Sequence, residues 1–273
     1  MKSFGRILVG LIVLIGVGMF VYPYLKSFTP VAVQPSPSPV IEESPSPSPS
    51  PSPSDHYPVP AESEQESAGL ALKPIPSSLD DSDPSLQDVL NQLFGKEKVE
   101  SLFHLKDIVR RIVVSIDNLA KREQPPQEFS PFKAMERDFR IEGKGDEKTI
   151  NPTNFKRYKP YADLVQSVNA SKLAAVYFHF YPLFQSAYQD LGTQGYFNDR
   201  LVKVVDLIIA TPEVDGPIKV VRKSVHAIYT YADPQLESLP AVQKILIRTG
   251  PENVAMVKAK ARELRIFLTQ RKP

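Results

Sequence analysis

Between Pro35 and Ser54 the chain alternates proline with serine in two runs, Pro35 to Pro39 and Ser44 to Ser54. Each proline lacks an amide donor and holds φ at about −65°, so a helix or a sheet interior is excluded and extended polyproline II geometry is favoured. At ~3.1 Å per residue the second run makes a semi-rigid rod of about 34 Å. Glu62, Glu64 and Glu66 prolong a stretch with almost nothing apolar to bury. This block divides the chain into residues 1–26, a disordered Pro/Ser-rich acidic spacer at 27–79, and a domain at 80–273. Composition follows the division, because 14 of the 27 prolines lie between Pro30 and Pro84. Residues 27–84 carry a formal charge of −8 and residues 85–273 carry +7. The net +2 of the whole chain therefore hides an acidic tether joined to a basic body.

Ile7 to Leu25 contains no charged residue over 19 positions. As a helix it rises about 28 Å, enough for the hydrocarbon core of a bilayer. Phe4 stands at one edge and Tyr22 and Tyr24 at the other, where amphipathic rings prefer to sit. Lys2 and Arg6 outweigh Lys26, so the positive-inside bias keeps the N-terminus in the cytoplasm. A cleaved signal peptide shares the basic start and the apolar run, but Val31-Ala32-Val33 is a poor cleavage site and no lipobox cysteine exists. The expectation is an uncleaved anchor. The absence of cysteine also excludes disulfides, thiolate metal sites and a cysteine nucleophile.

The body reads as one α-rich α+β domain, mostly helical, with one or two β-hairpins. Asp80-Asp81-Ser82-Asp83-Pro84 is a helix-start cluster, Leu86, Val89, Leu90 and Leu93 recur at helical spacing, and Gly95 stops the run. A longer helix is predicted over about 97–121, with Leu102, Leu105, Ile108, Ile112 and Ile116 on one broad face. Phe139 to Glu142, the turn Gly143-Lys144-Gly145-Asp146 and Lys148 to Ile150 predict a hairpin. A helical region follows Asn151-Pro152, and another spans Ser171 to Leu191, kinked or split by Pro182. Phe197 to Ala210 is apolar nearly all round, which marks a central buried helix, with Asn198 as its predicted cap. Ile218 to Val221 and Val225 to Tyr231 predict a second hairpin, Asp233-Pro234 a short helix, and Pro251 the start of the last helix.

Several of these segments, Phe139-Arg140-Ile141-Glu142-Gly143, Asn198-Asp199-Arg200-Leu201-Val202, Ala210-Thr211-Pro212-Glu213, Tyr231-Ala232-Asp233-Pro234 and Thr249-Gly250-Pro251-Glu252-Asn253, resemble the bacterial family catalogued as domain of unknown function 3014. The resemblance spans about Asp80 to Leu268. One departure is Val242, near which a small residue such as glycine is expected. The resemblance implies a Gram-negative envelope protein with an anchor and a Pro-rich spacer. It implies no catalytic roles. With it, the expected location is the inner (cytoplasmic) membrane, single-pass, with the C-terminal domain in the periplasm.

No pair among His56, His104, His179 and His226 has zincin or finger spacing, so no metal ligand is assigned and no cofactor is implied. Neither a Gly-x-Ser-x-Gly elbow nor a phosphate loop is present. The candidate pocket is Asn198, Asp199, Arg200, Asp206 and His226, where a loop meets the start of a buried helix that attracts anions. The structural alternative has Asn198 capping, Asp199 pairing with Lys203, and Arg200 and Asp206 closing an ion pair with the hairpin. The candidate anion-binding face is Lys258, Lys260, Arg262 and Arg265 on the last helix, against the plainer reading of a soluble, cationic helix end. A further alternative rests the acidic spacer on this face.

These features point to a non-enzymatic binding or scaffold domain held in the envelope by the inserted residues 7–25. Its expected partner is an anionic envelope polymer, a lipid head group or a periplasmic protein, and nucleic acid is disfavoured by export. The alternative is a periplasmic hydrolase built around Asn198-Asp199-Arg200, with Asp206 or His226 as acid/base.

Overall fold

A computed structural model describes residues 56–60, 69–121, 127–133, 139–145, 147–167, 169–222 and 228–269. The apolar run 7–25, the Pro-Ser runs, the Glu62–Glu66 cluster, His226, Arg271 and Lys272 lie outside these residues. Among the described residues no helix is long and apolar enough to cross a membrane.

The predicted stripe of Leu86, Val89, Leu90 and Leu93 is buried on α1 (Ser82–Phe94), which stops at Gly95, where φ is +80°. The helix predicted over 97–121 is broken into α2 (Lys96–Leu102) and α3 (Ile108–Leu119). Residues far along the chain cause the break. Pro131 accepts the His104 N–H at 2.9 Å, and the Lys133 N–H donates to the Leu102 carbonyl at 2.9 Å. Phe103 thereby pairs with Phe132 and leaves the helical path. The contacting rings of Phe94, Phe103, Phe132 and Tyr161 line this crossing. Asp107 then takes a left-handed turn, φ +56°, before α3 begins.

The α3 start is capped from a distance. Asp83 of α1 accepts the N–H groups of Asp107 at 2.7 Å and Ile108 at 3.0 Å. The acidic cluster does not cap α1, whose N-cap Asp81 makes no side-chain capping bond; Asp83 serves instead a helix 25 residues on.

After the 3-10 turn Pro152–Asn154 come α4 (Phe155–Gln166), α5 (Ala170–His179) and α6 (Tyr181–Asp190). The region around Pro182 is split at Phe180 into α5 and α6, which puts the proline in a first helical turn, where its missing N–H costs no helical bond. α7 (Phe197–Ile209) is central, with Phe197, Leu201, Val202, Val204, Val205 and Ile208 buried. α8 (Pro234–Glu237) is short and capped by Asp233, whose side chain accepts the Gln235 N–H. α9 (Ala241–Thr249) and α10 (Pro251–Leu268) complete the chain. α9 has no counterpart among the sequence expectations, yet every residue in it is buried. α10 packs on α4, α5 and α7, while α3 packs on α6 and α7.

Two small antiparallel hairpins lie on this bundle. β1 (Ile141–Glu142) pairs with β2 (Thr149–Ile150), and β3 (Val220–Val221) with β4 (Thr230–Tyr231). A bridge between Thr149 and Lys219 joins them. Ile150, Ile218, Val220, Tyr231 and Ile247 form their own apolar cluster beneath.

The spacer differs from its compositional reading at its C-terminal end. Tyr57, Val59, Leu70, Leu72, Ile75 and Leu79 pack against the main core. His179 Nε2 lies 2.9 Å from the Lys73 carbonyl, and Lys73 pairs with Asp88. Segments 56–60 and 69–79 are therefore part of the folded body.

Candidate functional site

The first turn of α7 gathers most of the candidate pocket. Asn198 is not its cap. Tyr196 precedes the helix in extended backbone and makes no side-chain cap. The Phe197 N–H instead donates to Gln185 Oε1 at 2.8 Å, and Gln185 Nε2 donates to the Gly195 carbonyl at 2.9 Å. Gln185 of α6 thus closes the α7 start, a role for which the sequence offers no local signal.

Asn198 is fully buried and ties three elements together. Its Oδ1 accepts from the Tyr177 hydroxyl at 3.1 Å, and its Nδ2 donates to the carbonyls of Tyr57 at 2.9 Å and Leu268 at 3.2 Å. Burial pushes the Tyr177 phenol well above its ordinary range. Asp199 does not pair with Lys203. Its carboxylate accepts the Tyr57 N–H at 2.8 Å and lies 3.0 Å from His56 Nδ1.

Arg200 and Asp206 do not reach the hairpins. Arg200 Nη2 contacts the Asp117 carbonyl at 2.5 Å and the Asp117 carboxylate at 2.9 Å, clamping α7 to the end of α3. Asp206 pairs with Arg265 Nε at 2.5 Å, and this bond raises the Arg265 guanidinium above its usual value. Asn198, Asp199, Arg200 and Asp206 are thus brought to one helix, but the polar side chain of each is committed to holding another segment. His226 lies outside the described residues.

A shallow groove of about 560 Å³ runs along this face, lined by Tyr57, Tyr188, Tyr196, Asp199, Lys203 and Asp206. A second of about 510 Å³ adjoins it across Asp206, with Ile209, Arg262, Arg265 and Ile266. Tyr196 and Ile266 are among the most exposed large apolar side chains described, at 53% and 60%.

The cationic face of α10 is largely neutralised. Lys258, Arg262 and Arg265 recur at i, i+4 and i+7 and share one side, with Lys260 on the other. Lys258 is buried, donating to the Thr211 carbonyl at 2.9 Å with Glu213 at 3.5 Å. It lines a pocket of about 370 Å³ with Glu213, Asp215 and Glu252, so the local charge there favours no anion. Lys260 is also buried and reaches Glu263 at 2.5 Å. Arg262 alone of the four is exposed and has no ion pair among the described residues.

His56 and Tyr57 escaped the sequence reading as site residues. The signal was there: His56-Tyr57-Pro58-Val59-Pro60 interrupts a Pro/Ser/Glu background with aromatic and branched side chains. Arg248 escaped too. It is 2% exposed on α9, donates to the Tyr229 carbonyl at 2.8 Å and lies 5.0 Å from the centre of the Tyr231 ring.

The family model described as "Protein of unknown function (DUF3014)" matches residues 108–265, more than half of the chain. The chain belongs to the DUF3014 family. The match begins at the first residue of α3, and it takes in the α7 site, both hairpins and Arg265. Neither a curated protein nor a solved structure matches this DUF3014 chain.

Proposed function

We propose that this DUF3014 protein is a membrane-tethered cell-envelope protein whose helical body is a non-enzymatic binding or scaffold domain. The anchor at residues 7–25 holds it in the inner membrane with its N-terminus in the cytoplasm, and the Pro-rich tether displays the body in the periplasm. One observation carries the non-enzymatic reading: Asn198, Arg200 and Asp206 bond to Leu268, Asp117 and Arg265, and so hold helices together. A hydrolase centred there needs those groups facing a substrate. The partner surface is the α7–α10 seam, where exposed Tyr196 and Ile266 flank the two grooves. Its amphipathic lining, in which Arg200 and Arg265 are paired with Asp117 and Asp206, favours a protein over an anionic polymer.

A phosphatase fused after Pro273 of the full-length chain is active in a Gram-negative host, and inactivity overturns the orientation read from Lys2 and Arg6. The detergent-solubilised chain stays in the supernatant with sacculi and anionic vesicles at low salt. Salt-sensitive pelleting that is lost in Arg262→Ala would move the partner to an anionic polymer or lipid head group.

A further inference from the structure

His56–Pro60 lies on the domain as a ligand lies on a receptor. Both main-chain groups of Tyr57 are held, its N–H by Asp199 at 2.8 Å and its carbonyl by Asn198 Nδ2 at 2.9 Å. His56 Nδ1 meets the other Asp199 oxygen at 3.0 Å, and its ring centre is 4.0 Å from that of Tyr196. Pro58 and Pro60 favour an extended backbone and bring no amide donor that needs a partner. These contacts read an extended backbone and an aromatic ring, and Pro58 and Pro60 preset the extended form of that backbone.

The clamp stands without its occupant. Asn198 is fully buried, and its bonds to the Tyr177 hydroxyl and the Leu268 carbonyl do not involve Tyr57. Its amide therefore stays oriented towards the strap position. Asp199 occupies the first turn of α7, where the helix dipole stabilises a carboxylate. Such preorganised groups lower the entropy lost when a peptide binds. The occupant is only partly covered by the body. The His56 side chain is 45% exposed, and the strap belongs to no helix or sheet. Eight residues, Ala61 to Ala68, with three glutamates among them, join it to Gly69.

We propose that the Asn198–Asp199 clamp is a binding site for an extended aromatic-plus-proline peptide of a partner protein, and that His56–Pro60 is the internal mimic which fills it until the partner displaces it. The proposal rests on the reading of the body as a binding domain and supplies that domain's ligand class. Fusion activity and sedimentation test the first reading, and peptide displacement tests the second.

The probe is fluorescein-labelled acetyl-Asp-His-Tyr-Pro-Val-Pro-amide, added to the full-length chain in detergent and followed by anisotropy. In the wild type the strap competes at an effective concentration in the millimolar range, so the probe binds weakly. The double variant His56→Gly, Tyr57→Gly binds it at least about tenfold tighter, because apparent affinity scales with the fraction of open sites. Adding Asp199→Ala to that variant reverses the gain. In the wild type, saturating unlabelled peptide also speeds hydrogen exchange at the Tyr57 and Val59 amides and leaves α7 and α10 unchanged. Equal affinity in wild type and double variant overturns the proposal, as does no binding to a double variant of wild-type helix content. If the double variant does not fold, the exchange measurement decides alone, and unchanged strap amides overturn it.

Discussion

Gly250 joins α9 to α10 with φ +93° and ψ 157°, a region essentially closed to side chains. A Cβ there meets the Phe155 ring at 2.4 to 2.8 Å. Asn253 Nδ2 donates to the Phe155 main-chain carbonyl at 2.9 Å, which holds the backbone that carries the ring. Gly250→Ala therefore adds overpacking to backbone strain, for a loss of about 2–4 kcal/mol in urea unfolding. Gly192 also has positive φ, but open space surrounds its Cβ position. Gly192→Ala loses about 1–2 kcal/mol from the backbone alone. A Gly250 effect no larger than that of Gly192 would show that the ring moves aside. Pro251 was readable as a first-turn proline, but Phe155, 95 positions upstream, was not readable as the neighbour that makes Gly250 irreplaceable.

Among the elements, the α2–α3 break shows most about how far sequence reasoning reaches. Periodicity over 97–121 is real, and Ile108, Val109, Ile112, Val113 and Ile116 are all buried as their spacing predicts. What the pattern lacks is any trace of Pro131, Phe132 and Lys133 arriving to take the main-chain groups of 102–104. The distant cap follows from that break, because an interior start for α3 leaves amides which Asp83 must satisfy. Asp83→Ala is expected to lose about 0.5–2 kcal/mol, in the usual range for a helix cap. Exchange should speed at the Asp107 and Ile108 amides while the second half of α1 is unaffected. If α1 loosens and α3 does not, the carboxylate serves its own helix instead.

At the scale of the molecule, burial of phenols sets an alkaline limit. Burial pushes the Tyr161 hydroxyl up to about 12. Tyr181 is also raised to about 12, by burial first, against an opposing hydrogen bond from the Asn198 main chain and with Asp199 and Tyr196 adding to the rise. In the unfolded chain both titrate near the ordinary phenol value of 10.0. Below pH 10 both states hold these protons, and the full stability contribution is present. Above it only the folded state does, so stability falls as pH rises from about 10 through 12. Ultraviolet titration against urea midpoints checks this, and Tyr161→Phe should make the fall shallower. A midpoint flat across that interval would show that these phenols are solvated.

The sequence by itself determined the mostly helical character of the body, most helix faces, both hairpins and the family. The helix faces and hairpins follow from chemistry repeated along neighbouring residues, apolar spacing and turn residues between strands, and the family from its short sequence motifs. The tertiary structure alone decided the break at Phe103, the buried α9, the partners of Asn198, Asp199, Arg200 and Asp206, and the loss of a free cationic face on α10. Tyr57 and Asp199 are separated by 142 positions, and Arg200 and the Asp117 carbonyl by 83. A charge in sequence is only a demand for a counter-charge or a hydrogen bond. Which group meets that demand is set by how helices pack, and packing depends on side-chain shapes that meet only once the chain has folded.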